Sequence, residues 1–296
     1  MKRAAVPRLL RIATGTGAIA FAVLSYEYLR LPDVRPLATV NPSSTAFMEL
    51  REREAAAAGK RVRRVHRWVP YSRISPNLRR AVLAAEDSAF FDHDGIDIAE
   101  IKKSIEDSIE KGKPLRGAST ITQQLAKNLY LSPSRDPLRK LKELMITWRL
   151  ETALSKARIF EIYLNVIEWG DQVWGAEAAA RTYFGVPASA LSREQAALLA
   201  GAIINPRLYS PKNPRGRLLR RQQIILARMP GYEPPAPMPA AVPAALSGPA
   251  PEPADGEPAA EPRDEMMDEA VDPVAAPPDE IDPAAGPEPS PAEPPA

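Results

Sequence analysis

The chain has 296 residues, of which 26% are charged; there is no cysteine, and the only histidines are His66 and His93. Disulfides, thiolate chemistry and a multi-histidine metal site within one chain are therefore excluded. The formal net charge of +2 conceals a division: residues 1–230 hold 38 Lys or Arg against 22 Asp or Glu, whereas residues 231–296 hold 15 acidic side chains and one arginine. A body this basic calls for an anionic partner, whether nucleic acid, phospholipid headgroups or a phosphorylated substrate.

The N-terminus narrows that choice. Residues 1–8 are basic (Lys2, Arg3, Arg8), and residues 9–31 are mostly apolar, uncharged from Ile12 to Tyr26. A helix over 9–31 has the roughly 30 Å needed for a single transmembrane anchor, although it is rich in Ala, Gly and Thr. A cleaved signal peptide is the rival reading, with Ala20-Phe21-Ala22 as a poor cleavage site inside the apolar run. The basic flank stays on the cytoplasmic side, which puts the remainder in the periplasm, at the inner membrane and away from nucleic acid.

Residues 32–66 read as a connecting stalk with a helical patch, and residues 67–230 as the globular body. Ser75 and Pro76 form an N-cap and first-turn pair for a helix that turns Leu78, Ala81 and Val82 to a core. Glu86 lies on or beside that apolar stripe. It is either a satisfied structural carboxylate or one whose proton affinity burial has raised. Asp97 can cap a helix bearing Ile98, Ile101, Ile105 and Ile109 that ends at Gly112. A basic loop (Lys111, Lys113, Arg116, Gly117) then leads into Thr120, with Gln123 placed for a capping box. Ile121, Leu125 and Leu129 face the core, and Gln124, Lys127 and Asn128 share another face. A cation-flanked helix start binds phosphate readily, since free N–H groups and the helix dipole both favour an anion.

Asp136-Pro137 opens a long helix in which Arg139 and Glu143 make, on the plainest view, an exposed i,i+4 pair. Further helices run from Lys156 to Val166 and from Glu177 to Phe184; one is capped by Ser192 with Gln195, and a last one starts at Asn213-Pro214. No segment alternates well enough to be a strand, so the body is mainly α. Residues 231–296, made of Pro, Ala, Glu and Asp without periodicity, form a tail expected to stay disordered.

Five blocks carry a family resemblance: EDSAFFDHDG from Glu86, GASTITQQLAKN from Gly117, RKLKE from Arg139, KARIFEIYLNVIEWG from Lys156 and RRQQIILARM from Arg220. In that order and spacing they resemble the glycosyltransferase domain of the penicillin-binding-protein family, family 51, in its monofunctional biosynthetic form. The resemblance implies a lysozyme-like, mainly α fold with a small membrane-proximal lobe. It implies polymerisation of lipid II into β-1,4-linked glycan with release of undecaprenyl diphosphate. Glu86 matches the general base and Glu143 the second catalytic carboxylate. Lys127, Arg139 and Lys140 match the diphosphate-holding cations. Ser119, Thr120, Gln123, Gln124 and Asn128 match donor-site polar groups. The family also implies Mg or Mn at the diphosphate, with Glu143 as the protein ligand, and no organic cofactor. Partners would be lipid II, lipid-linked glycan and other cell-wall synthesis proteins. A lysozyme-like lytic enzyme and a non-catalytic wall scaffold are the alternatives. A transpeptidase is excluded: Ser108-Ile109-Glu110-Lys111 and Ser75-Pro76-Asn77 fit its first two motifs, but no KTG follows.

Overall fold

In the computed structural model, residues 8–112, 119–133 and 136–232 are described. The acidic tail, the start of the basic N-terminus and Lys113, Arg116 and Gly117 of the basic loop lie outside them. Ten α-helices are found among the described residues: α1 (Arg8–Leu29), α2 (Ala46–Ala57), α3 (Pro76–Glu86), α4 (Ile98–Lys111), α5 (Ile121–Tyr130), α6 (Pro137–Ala153), α7 (Lys156–Val166), α8 (Ala176–Phe184), α9 (Arg193–Ala202) and α10 (Gly216–Arg228). Ser75 Oγ accepts the Asn77 N–H at 3.1 Å to start α3, and Ser192 with Gln195 forms a complete capping box on α9. α10 begins at Gly216, three residues after Asn213, because Asn213 closes a turn on Ser210 instead of capping.

Three short strands, absent from the sequence reading, form a small sheet of order β1-β3-β2: β1 (Val65–His66), β2 (Glu168–Gly170) and β3 (Val173–Trp174). Two or three residues are too few to show alternation. β1 runs parallel to β3 with Val65 opposite Val173, and β2 is antiparallel to β3. The hairpin turns on Gln172 at φ 60°, and Gly175, which follows β3 at the start of α8, lies at φ 83°. A Cβ at Gly175 would sit 2.5 Å from the Asn165 carbonyl oxygen, so glycine is required there sterically as well as conformationally.

One core joins both halves of the body. α3 packs on α9 and α10, while α5 packs on α6, α7 and α2. Tyr163, Phe160, Trp169 and Trp174 are fully buried between them. Residues 32–66, expected to be a stalk, place Val34, Leu37, Met48 and Ala55 in the buried set. Two arginines fasten them: Arg158 donates to Leu37 O (2.8 Å) and Asn41 Oδ1 (2.7 Å), and Arg149 donates to Tyr28 O, Leu31 O and Pro32 O at 3.1–3.3 Å. Asn165, fully buried, does the same for the segment after β1, accepting Val69 N–H and donating to Val69 O, both at 2.9 Å. Such a segment reads as a linker because its apolar residues are sparse and its anchors come from distant arginines.

The N-terminal helix forms where expected, but its apolarity does not match the expectation. Among the described residues no helix is long and apolar enough to cross a membrane. In α1, Thr14, Gly15, Thr16 and Gly17 dilute the hydrophobic run. The span expected over 9–31 is therefore not confirmed as an anchor, and α1 carries exposed apolar side chains, including Phe21 (72%) and Leu29 (80%).

Candidate active site

Glu86 is the last residue of α3. Its carboxylate sits where α3 meets α5 and α10, with its side chain only 12% exposed. Gln124 Nε2 of α5 donates to Glu86 Oε2 at 3.0 Å, and Arg221 Nη2 of α10 stands 3.8 Å from Oε1. Burial raises the carboxyl's proton affinity above its ordinary value. The Gln124 hydrogen bond and then Arg221 oppose that rise, Asp87 reinforces it, and Lys127 opposes it weakly.

The next residue, Asp87, aims the chain. Its Oδ2 accepts the Ile121 N–H at 2.9 Å, the first turn of α5, and its Oδ1 accepts from His93 Nε2 at 3.0 Å. His93 Nδ1 accepts the Gly95 N–H, and Gly95 O accepts the Thr120 hydroxyl at 2.7 Å. Gly95 lies at φ 85°, and a Cβ there would fall 2.7 Å from Thr147 Cγ2 and 2.9 Å from Glu151 Cγ. The end of α3 is thereby latched to the start of α5. Asp87, His93 and Asp97 are spaced as metal ligands. Their ligand atoms are already engaged, Asp97 Oδ1 capping Glu100 N–H at 2.8 Å, so this group is a hydrogen-bonded latch.

α6 supplies the cations. Glu143 is 3% exposed and accepts from Arg139 Nη1 at 2.6 Å and Lys140 Nζ at 2.5 Å. The Arg139–Glu143 pair, expected on the surface, is largely buried, with side chains 16% and 4% exposed. Arg139 Nε is buried and has no partner among the described residues. Between the two carboxylates lies Lys127, whose ammonium is 5.9 Å from the centre of the Phe47 ring on α2. Burial lowers the Lys127 proton affinity; Glu143 counters this, Arg139 and Lys140 add to it, and Glu86 counters it weakly. Lys127 therefore feels the charges of both carboxylates and of the α6 cations, and a further anion would stabilise its charged form.

The polar residues of α5 separate into two sets. Gln124 touches Glu86. Gln123 leaves the expected capping box, although Thr120 Oγ1 still accepts its N–H at 3.3 Å, and its Oε1 accepts from Lys140 Nζ at 3.3 Å. An ammonium is a stronger donor than a backbone amide, which explains the turn toward α6. Asn128 Nδ2 donates to the Gln124 carbonyl one turn back, so it serves the helix rather than an open ligand face. Ser119 is exposed, and its carbonyl lies 3.5 Å from Gln124 Nε2.

Glu143 does not fit the expected metal role. Both its oxygens are taken by cations, and a divalent ion would sit among like charges. Two residues without an assigned role in the sequence reading also reach the site. Arg221 lies on the buried stripe of α10 between Leu218 and Ile225, and a cation on an apolar stripe is the signal that would have found it. Tyr163 is a fully buried core residue of α7, and its hydroxyl donates to Gln124 Oε1 at 2.9 Å.

With that geometry in place, comparison with known proteins is decisive. The transglycosylase family model matches residues 52–230. The chain belongs to the transglycosylase family. It is 51% identical over 194 residues to a biosynthetic peptidoglycan transglycosylase of Nitrosospira multiformis, covering 64% of this chain and 82% of the relative. It is 53% identical over 194 residues to the protein of that name from Methylobacillus flagellatus, with the same coverage. The relative of that name from Laribacter hongkongensis is 46% identical over 218 residues, 74% of this chain and 96% of its own length. The matched region of this transglycosylase begins inside α2, so the family domain takes in the last part of the supposed stalk.

Proposed function

We propose that this transglycosylase is a biosynthetic peptidoglycan glycosyltransferase that polymerises lipid II, with Glu86 as its general base. One juxtaposition carries the reading: a desolvated carboxylate with raised proton affinity faces a cleft whose other side is built from Lys127, Arg139 and Lys140. Glu86 takes the proton of the acceptor's sugar hydroxyl as that oxygen bonds to the donor's anomeric carbon. The bond from that carbon to the lipid diphosphate breaks, with inversion, and the diphosphate leaves as an anion. A leaving group of this kind needs charge neutralisation rather than a proton, which the cations supply, with Arg139 Nε–H unpaired among the described residues. Glu143 holds Arg139 and Lys140 in place, and no step runs through a divalent cation. A lytic enzyme, which protonates its leaving group and grips neutral glycan, has no use for this cluster.

The substrate's lipid tail implies work at the membrane. The exposed Phe21 and Leu29 of α1, Ile105 and Ile109 of α4, and Leu138 and Trp148 of α6 suit contact with lipid, with the body on the periplasmic side of the inner membrane. Purified protein given fluorescent lipid II should produce long glycan, and the Glu86→Gln protein should not. Fragments released from finished sacculi, with no polymer from lipid II, would show a degradative enzyme instead.

A further inference from the structure

Glu86 meets α5 through one side-chain amide, and that amide is itself held from behind. Gln124 Nε2 donates to Glu86 Oε2 at 3.0 Å and approaches Ser119 O at 3.5 Å, while Gln124 Oε1 accepts the Tyr163 hydroxyl at 2.9 Å. A flipped amide would turn its oxygen toward a carboxylate and a carbonyl, both acceptors, and its N–H groups toward a phenol. Tyr163 lies on α7, 0% exposed, with Ile159, Ile162 and Val166 also fully buried on that helix. Burial, Glu86 and Asp87 all push its hydroxyl's pKa well above 10, so it remains a donor at any pH at which the enzyme works.

We infer that Tyr163 is a positioning residue for the general base: its O–H fixes the Gln124 amide with its N–H toward Glu86, and so favours the ionised, proton-accepting carboxylate. This rests on Glu86 being the base. Phenylalanine at 163 fills nearly the same volume but leaves Gln124 Oε1 without that donor, freeing the amide to turn away from Glu86. The other groups facing Glu86 stay in place: Lys127 from α5, Arg221 from α10 and the adjacent Asp87. Loss of one neutral hydrogen bond behind the amide is a modest perturbation, transmitted to Glu86 only in part.

The test is the pH dependence of kcat/KM for lipid II polymerisation, whose acid limb reports the free enzyme's base. Tyr163→Phe should move that limb upward by roughly 0.5 to 1 pH unit while the plateau changes little. In a Gln124→Leu background the same substitution should leave the limb where Gln124→Leu alone puts it. A purely packing role would lower the melting temperature or the plateau and leave the limb unmoved, and that result overturns the inference. Should Tyr163→Phe fail to fold, 3-fluorotyrosine at 163, a stronger donor of nearly the same shape, decides: the limb must move downward, and no movement or an upward one rejects the role. Glu86→Gln separates the two claims. Polymer from that variant removes the base itself, whereas an inactive Glu86→Gln with an unmoved limb in the Tyr163 variants removes only the positioning role.

Discussion

The end of α3 and the second turn of α6 each bury one glutamate, with opposite surroundings. Glu143 has a cation on each oxygen, at 2.6 and 2.5 Å. Glu86 has one neutral amide at 3.0 Å and a guanidinium no nearer than 3.8 Å. Two cations satisfy a buried carboxylate with charge-assisted hydrogen bonds, whereas one amide and a remote arginine leave burial to raise the proton affinity of Glu86. The difference underlies the proposed roles: Glu86 as the proton acceptor, and Glu143 as the holder of two cations that a diphosphate can use.

The largest expected effect tests the first half of that contrast. Glu86→Gln should cut the polymerisation rate about 10²- to 10⁴-fold, the range for losing a general base, with lipid II binding nearly unchanged. A loss below tenfold would put the base elsewhere. Glu143→Ala should act first on the fold, since it strands Arg139 in a largely buried position. Urea denaturation should show a loss of about 3 kcal/mol, and a neutral outcome would mean that the pair is no better than a surface one. The smallest effect has the opposite sign. Glu86 holds its proton more tightly folded than unfolded, so the stability it contributes is present below the ordinary carboxyl value of 4.5 and is lost as pH rises through the folded value. Glu86→Gln should therefore melt above the parent protein at pH 7, with the gap closing as pH falls through the acid range. A gap that widens in acid would contradict the burial argument.

How much of this could be read from the chain depends on the kind of force involved. Glu86 was legible because a carboxylate on an apolar stripe is visible in periodicity, and the Ser75, Thr120 and Ser192 caps were legible because capping is local. The burial of Arg139–Glu143 was not, since an i,i+4 pair looks the same in water and under another helix. The contacts of Asn165 and Arg158 were hidden for a related reason: these partners lie 96 to 121 residues away in the chain. The N-terminal helix was legible from its composition as a helix, but not confirmed as a membrane span. The Tyr163 hydroxyl was hidden by its own ring, which counts as core in any hydrophobic pattern.

Arg149 extends from α6, the helix that presents Arg139, Lys140 and Glu143, to Tyr28 O at the end of α1 and to Leu31 O and Pro32 O just beyond it, and Lys142 of α6 adds an ion pair with Glu27 at 2.8 Å. The cleft is therefore bolted to the N-terminal helix rather than leashed to it, and cannot swivel freely about that joint. A soluble version cut after residue 32 would leave Arg149 without its three carbonyl acceptors and unseat the root of α6. The cut should fall before Glu27 if the catalytic geometry is to survive the loss of the helix.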